Sequence, residues 1–114
     1  SVMPGSESKL LKGLELGCSG IITATTNVTA ALAREVYDNF FSKSSLDLNK
    51  KLCNVRAAFE KYNLISGLHS FMSDKNEIYK NVLPPLKLLS ETDKKELLLN
   101  LNKLDFNIEN LKAA

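Results

Sequence analysis

The chain has 114 residues, of which 44% are hydrophobic and 25% charged, the ordinary composition of a globular protein. Fifteen Lys and Arg against thirteen Asp and Glu leave a net charge of +2, without the concentrated basic face that nucleic-acid or anionic-membrane partners call for. No apolar run approaches the roughly 18 residues of a membrane span, and the start lacks a basic stretch followed by an apolar core, so a cytoplasmic protein is expected.

Leu10, Leu11 and Leu14 fall at helical spacing, with Ser6 or Ser8 placed to cap and Gly17 to stop the helix in a left-handed conformation. Gly13 weakens that helix by up to about 1 kcal/mol relative to Ala, which points to close approach of another element. Cys18 follows the stop. With Cys53 far along the chain, the two cysteines read as reduced, packed thiols without metal-ligand spacing.

Residues 20–25, Gly-Ile-Ile-Thr-Ala-Thr, are a short β-branched run with hardly a polar side chain, the pattern of a strand covered on both faces. Asn27 is placed to cap a helix running to about residue 42, with Val28, Leu32, Val36, Phe40 and Phe41 as its apolar stripe. The remainder reads as helix. Leu48, Leu52, Val55, Phe59 and Tyr62 recur at spacings of four, three, four and three. A shorter helix after Asn63 turns Leu64, Ile65, Leu68 and Met72 inward. Residues 73–76 predict a turn, 83–86 an extended prolyl segment, and Ser90 with Asp93 a variant capping box before Leu97, Leu98, Leu101 and Leu104. A weak tail over 105–114 is expected to fray.

A single buried-type strand is not viable alone, because each backbone group buried without a partner costs about 1 to 3 kcal/mol. Its neighbours must come from another chain or from sequence upstream of Ser1. A helix, strand and helix in series is one slice of an α/β fold, so the expectation is the C-terminal part of a larger α/β protein.

Two stretches carry a resemblance: Val2-Met3-Pro4-Gly5-Ser6-Glu7-Ser8, and Gly17-Cys18-Ser19-Gly20-Ile21-Ile22-Thr23-Ala24-Thr25-Thr26-Asn27-Val28. Together they resemble the last quarter of a barrel in the dihydrodipicolinate synthase and N-acetylneuraminate lyase family. Val82-Leu83-Pro84-Pro85-Leu86-Lys87-Leu88-Leu89-Ser90 is similar to the family's segment before its final helix. The resemblance implies the C-terminal segment of a (β/α)8 TIM barrel. Residues 1–44 would hold the loop after strand seven, helix seven, strand eight and helix eight, and residues 45–114 a C-terminal helical region. The fragment itself would be mostly α-helical.

The family is one of class I aldolases and related lyases, usually homotetramers, that bind pyruvate as a Schiff base without an external cofactor. The lysine and tyrosine of that chemistry lie on earlier strands, so the resemblance implies no catalytic residue in this chain; residue spacing gives no metal site either. It does imply four substrate-binding positions. Gly5 matches the glycine whose backbone approaches the substrate, and Ile22 the residue whose carbonyl faces the lysine and pyruvate. Both would stand at the C-terminal mouth of the barrel. Glu7 and Ser8 match positions where sugar-acid lyases hold substrate hydroxyls, although a carboxylate and a hydroxyl there serve equally well as helix caps.

Two departures from the family pattern bear on subgroup. Ala24 replaces the serine of the sialic-acid lyases, and residues 64–69 carry Ser66 and His69 where the family has proline and lysine. A lone histidine on an amphipathic helix reads as structural. The function expected is a dihydrodipicolinate synthase condensing pyruvate with aspartate semialdehyde, in lysine biosynthesis. A 2-keto-3-deoxy sugar-acid aldolase or dehydratase is the alternative, and a small helical interaction module is the rival of another class.

Overall fold

The computed structural model describes residues 1–109. Its regular structure is helical, and no strand forms among those residues. Two compact units divide the chain, Ser1–Arg56 and a second starting at Ala57, so the division falls inside a continuous helix.

In the first unit the Ser6 hydroxyl accepts the Ser8 amide at 3.3 Å, heading a 3₁₀ turn over Glu7–Lys9. Helix α1 (Leu10–Glu15) follows without a break. Gly17 then takes φ +85°, the left-handed conformation in which a Cβ is strained, as its place after Leu16 predicts. Close approach at Gly13 is also found. A Cβ there would meet the Cys18 Cβ and the Pro4 Cγ, each at 3.4 Å.

The strand expected over residues 20–25 is not formed. Two backbone bonds join this stretch to the start of the chain, Ser19 amide to Val2 carbonyl at 3.0 Å and Ile22 amide to Pro4 carbonyl at 3.1 Å. They advance three residues on one segment and two on the other, out of step with the even spacing of a parallel ladder. Ile21 and Ile22 have β propensity, and the described residues give them no ladder to join.

Helix α2 (Thr26–Asp38) begins a residue before Asn27, which therefore does not cap it. The cap comes from Thr23, whose Oγ1 accepts the Thr26 amide at 3.2 Å, while the Asn27 side-chain amide donates to the Ala24 carbonyl. Val28, Leu32, Ala33 and Val36 are buried, and α2 packs on α1, where Leu10 is buried. The helix stops short of residue 42, leaving Phe41 96% exposed instead of on the stripe. Helix α3 (Ser45–Glu60) buries Leu52 and Val55 completely, as their periodicity predicts.

The second unit takes the end of α3, then α4 (Leu64–Met72) and α5 (Glu91–Lys103). Asn63 caps α4 by accepting the Ser66 amide at 3.1 Å, and Ser90 caps α5 by accepting the Asp93 amide at 3.1 Å. Phe59, Leu68, Phe71, Leu97 and Leu101 form the core. Phe59 meets Phe71 edge-on, with ring centroids 5.5 Å apart. Phe106 stacks on Phe71 at 5.9 Å, so the described start of the tail is packed; residues 110–114 lie outside the described residues. Ile65, expected inward, is 46% exposed, and the buried place falls to Phe71 one turn beyond Leu68. The turn over residues 73–76 leads into a 3₁₀ turn, Glu77–Lys80. The segment that follows is held to α4 where the buried Ser70 hydroxyl accepts the Leu89 amide at 2.9 Å.

Candidate functional site

Gly5 and Ile22, seventeen positions apart in sequence, are brought together. The Ile22 amide bonds the Pro4 carbonyl, and a Cβ built on Gly5 would stand 3.9 Å from the Ile22 carbonyl oxygen. Gly5 is exposed, and so is the Ile22 side chain. An accessible backbone surface therefore lies beside a carbonyl acceptor. Ser8 is also exposed, and its hydroxyl shares a 2.9 Å hydrogen bond with that of Ser6. Ala24 stands exposed close in sequence to this surface and adds no hydrogen-bonding group.

Glu7 behaves differently from both readings of its position. Capping is done by Ser6, and the Glu7 side chain has no exposure with which to meet a substrate hydroxyl. Its Oε1 accepts a hydrogen bond from the Thr25 hydroxyl, and the Thr29 hydroxyl lies 3.1 Å from both this oxygen and the Thr25 carbonyl, with one proton to share between them. Its Oε2 accepts from the Arg56 guanidinium at 2.6 Å, and the same guanidinium nitrogen donates to Thr25 Oγ1 at 3.1 Å. Thr23 joins the chain through a 3.2 Å contact between its hydroxyl and that of Thr25.

A carboxylate out of water is tolerable only when paired and hydrogen-bonded. Burial pushes the Glu7 carboxyl up, but the bonds from Thr25 and Arg56, its own backbone amide and Thr23 outweigh it and leave the group below the ordinary carboxylate value. Glu7 is thus ionised at neutral pH. Nearby, the Cys53 thiol is pushed up by burial and by the Glu7 charge, against a smaller opposing effect of Arg56, and the net rise favours the neutral thiol.

Sequence reasoning singled out neither Thr29 nor Arg56. A signal was available for the threonine: Thr25, just before α2, and Thr29, Leu32 and Val36 within it follow helical spacing, so two hydroxyls share the buried side at the head of the helix and require an acceptor. For Arg56 there was none, because its partner lies 49 residues away. His69 has a structural place: its Nδ1 donates to the Tyr79 carbonyl at 2.8 Å. Among the described residues, no three His, Cys, Asp or Glu side chains are grouped to hold a metal ion, and no helix is long and apolar enough to cross a membrane.

Comparison with known proteins places these features in a family context. The model of the dihydrodipicolinate synthetase family matches residues 1–104. A monomeric dihydrodipicolinate synthase variant superposes with a TM-score of 0.79 at 20% identity, covering 92% of this chain. Dihydrodipicolinate synthase from Thermotoga maritima gives 0.78 at 20% identity over 91% of the chain, and N-acetylneuraminate lyase from Mycoplasma synoviae 0.73 at 20% over 89%. In each case the chain spans only 36% of the solved structure. No curated protein matches the sequence.

Proposed function

Because this chain belongs to the dihydrodipicolinate synthetase family, we propose that it is the C-terminal part of a class I aldolase or synthase that binds pyruvate as a Schiff base. In that role residues 1–44 supply the last strand position of a (β/α)8 barrel with its flanking helices, and residues 45–114 a helical region beside it. Working as a cytoplasmic homotetramer, the whole enzyme condenses pyruvate with an aldehyde, aspartate semialdehyde being our choice.

The observation that carries this reading is the juxtaposition of Gly5 and the Ile22 carbonyl within a family match that spans residues 1–104. An imine is formed by attack of a neutral lysine amine on the ketone, and the iminium then draws electrons from the adjacent carbon. This chain's part in that step is positional. Gly5 lets the backbone approach pyruvate, and the Ile22 carbonyl accepts a hydrogen bond at the reacting end.

The choice of a short aldehyde over a polyhydroxylated sugar acid rests on Glu7 and Ala24. The carboxylate is fully engaged by Thr25, Thr29 and Arg56, and Ala24 has no hydroxyl, which leaves Ser8 as the exposed polar group of this loop to meet a second substrate. Borohydride reduction of the full-length protein with pyruvate, followed by peptide mass spectrometry, is expected to place an adduct on a lysine upstream of Ser1. An intact protein that forms none is not an aldolase of this class. Turnover by the unreduced enzyme of pyruvate with aspartate semialdehyde, but not of 2-keto-3-deoxy sugar acids, separates the two substrate readings.

A further inference from the structure

Gly5 is tethered on both sides. Before it, the Pro4 carbonyl accepts the Ile22 amide at 3.1 Å. After it, Glu7 reaches the segment beyond Ile22 through Thr25, whose hydroxyl also contacts that of Thr23 at 3.2 Å. Positions 4 and 7 are therefore fastened to positions 22 and 25, and Gly5 has little freedom to shift relative to the Ile22 carbonyl. The second tether is the unusual one. An apolar pair of similar volume would fill the same space without desolvating a charge, so what the Glu7–Arg56 pair adds over packing is direction, with each carboxylate oxygen aimed at specific donors.

We propose that Glu7, clamped by Arg56, is a positioning residue that holds Gly5 over the Ile22 carbonyl and so sets the pyruvate end of the site without touching substrate. This rests on the aldolase reading above. Arg56 contributes from a helix far along the chain, which makes the geometry of the loop depend on α3 being docked. Thr29, from within α2, shares its hydroxyl proton between Glu7 and the Thr25 carbonyl, each at 3.1 Å.

The test uses the full-length protein and measures the pyruvate concentration that half-saturates borohydride trapping, alongside the melting temperature. Arg56→Met is expected to raise that concentration about tenfold or more while saturating pyruvate still gives the adduct, since displacing a binding element by a fraction of an ångström weakens orientation without removing the nucleophile. Arg56→Lys, which keeps a cation near Glu7, is expected to recover most of the loss. Phe71→Leu, in the core of the second unit, serves as a control that lowers the melting temperature and leaves half-saturation at the wild-type value. Should Arg56→Met not fold, Thr25→Val removes the hydroxyl that donates to Glu7 and accepts from Arg56 with little change of shape, and a rise of about threefold is expected. Wild-type half-saturation in a folded Arg56→Met protein, or in Thr25→Val if that is the one that folds, overturns the positioning role alone. Absence of any adduct in the wild-type protein instead overturns the aldolase reading on which it rests.

Discussion

Removing the Arg56 guanidinium leaves a carboxylate with no solvent exposure facing only hydroxyls and its own backbone. Breaking one half of a buried pair in this way costs about 3 to 5 kcal/mol, far more than the pair contributes over an apolar substitute. Arg56→Met should accordingly lower the melting temperature of the full-length protein by several degrees, and Glu7→Gln by less, because the amide can still accept from Thr25 and Thr29. The same pair predicts a pH dependence. Glu7 titrates lower in the folded state than in the unfolded one, so its stabilisation is complete above the unfolded value and is lost as the pH falls through the folded one. Thermal melts between about pH 6 and pH 3 should show wild-type stability falling more steeply than that of Glu7→Gln. Equal slopes would mean that Glu7 is not ionised where it lies.

Among the elements, the caps and the small residues have the clearest consequences. Ser90 accepts the Asp93 amide at the head of α5, and Ser90→Ala should cost about 1 kcal/mol, read as a shift in a urea melt. At Gly13 the predicted response depends on size. A Cβ would make ordinary contacts at 3.4 Å with Cys18 and Pro4, so Gly13→Ala should be neutral or gain up to about 1 kcal/mol of helix propensity. Gly13→Leu, with three more carbons in the same gap, should destabilise by about 1 to 3 kcal/mol. Residues 20–25 illustrate the opposite dependence. Helices satisfy their own backbone within one segment, whereas a strand is defined by its neighbours, and among the described residues the run is joined to the start of the chain by the Ile22 amide on the Pro4 carbonyl, out of step with the Ser19–Val2 bond just before it.

Taken as a whole, the chain spans 36% of the monomeric dihydrodipicolinate synthase variant and carries a set of exposed apolar side chains. Val2, Leu16, Ile22, Phe41, Leu46, Ile78, Leu83 and Leu99 are each more than half exposed. Isolated apolar residues are common on protein surfaces, and it is where they adjoin that they become an aggregation liability. The 114-residue chain expressed alone should bind a hydrophobic dye, associate in sedimentation and form no borohydride adduct with pyruvate. A monodisperse, cooperatively melting chain without dye binding would favour the helical interaction module instead.

The helices of residues 45–103, the stop at Gly17, the crowding at Gly13 and the cap at Ser90 could be read from the amino-acid order, because each depends on spacing within a turn or two of one helix. The pairing of Gly5 with Ile22 came from resemblance to a family, since no local pattern links positions seventeen apart. Tertiary structure alone decided that Glu7 turns inward to Arg56, that Thr23 and not Asn27 caps α2, and that Phe71 and Phe106 complete a core. A charged side chain is exposed unless a distant partner offsets its desolvation, and that partner is selected by how the chain folds back, 49 residues later.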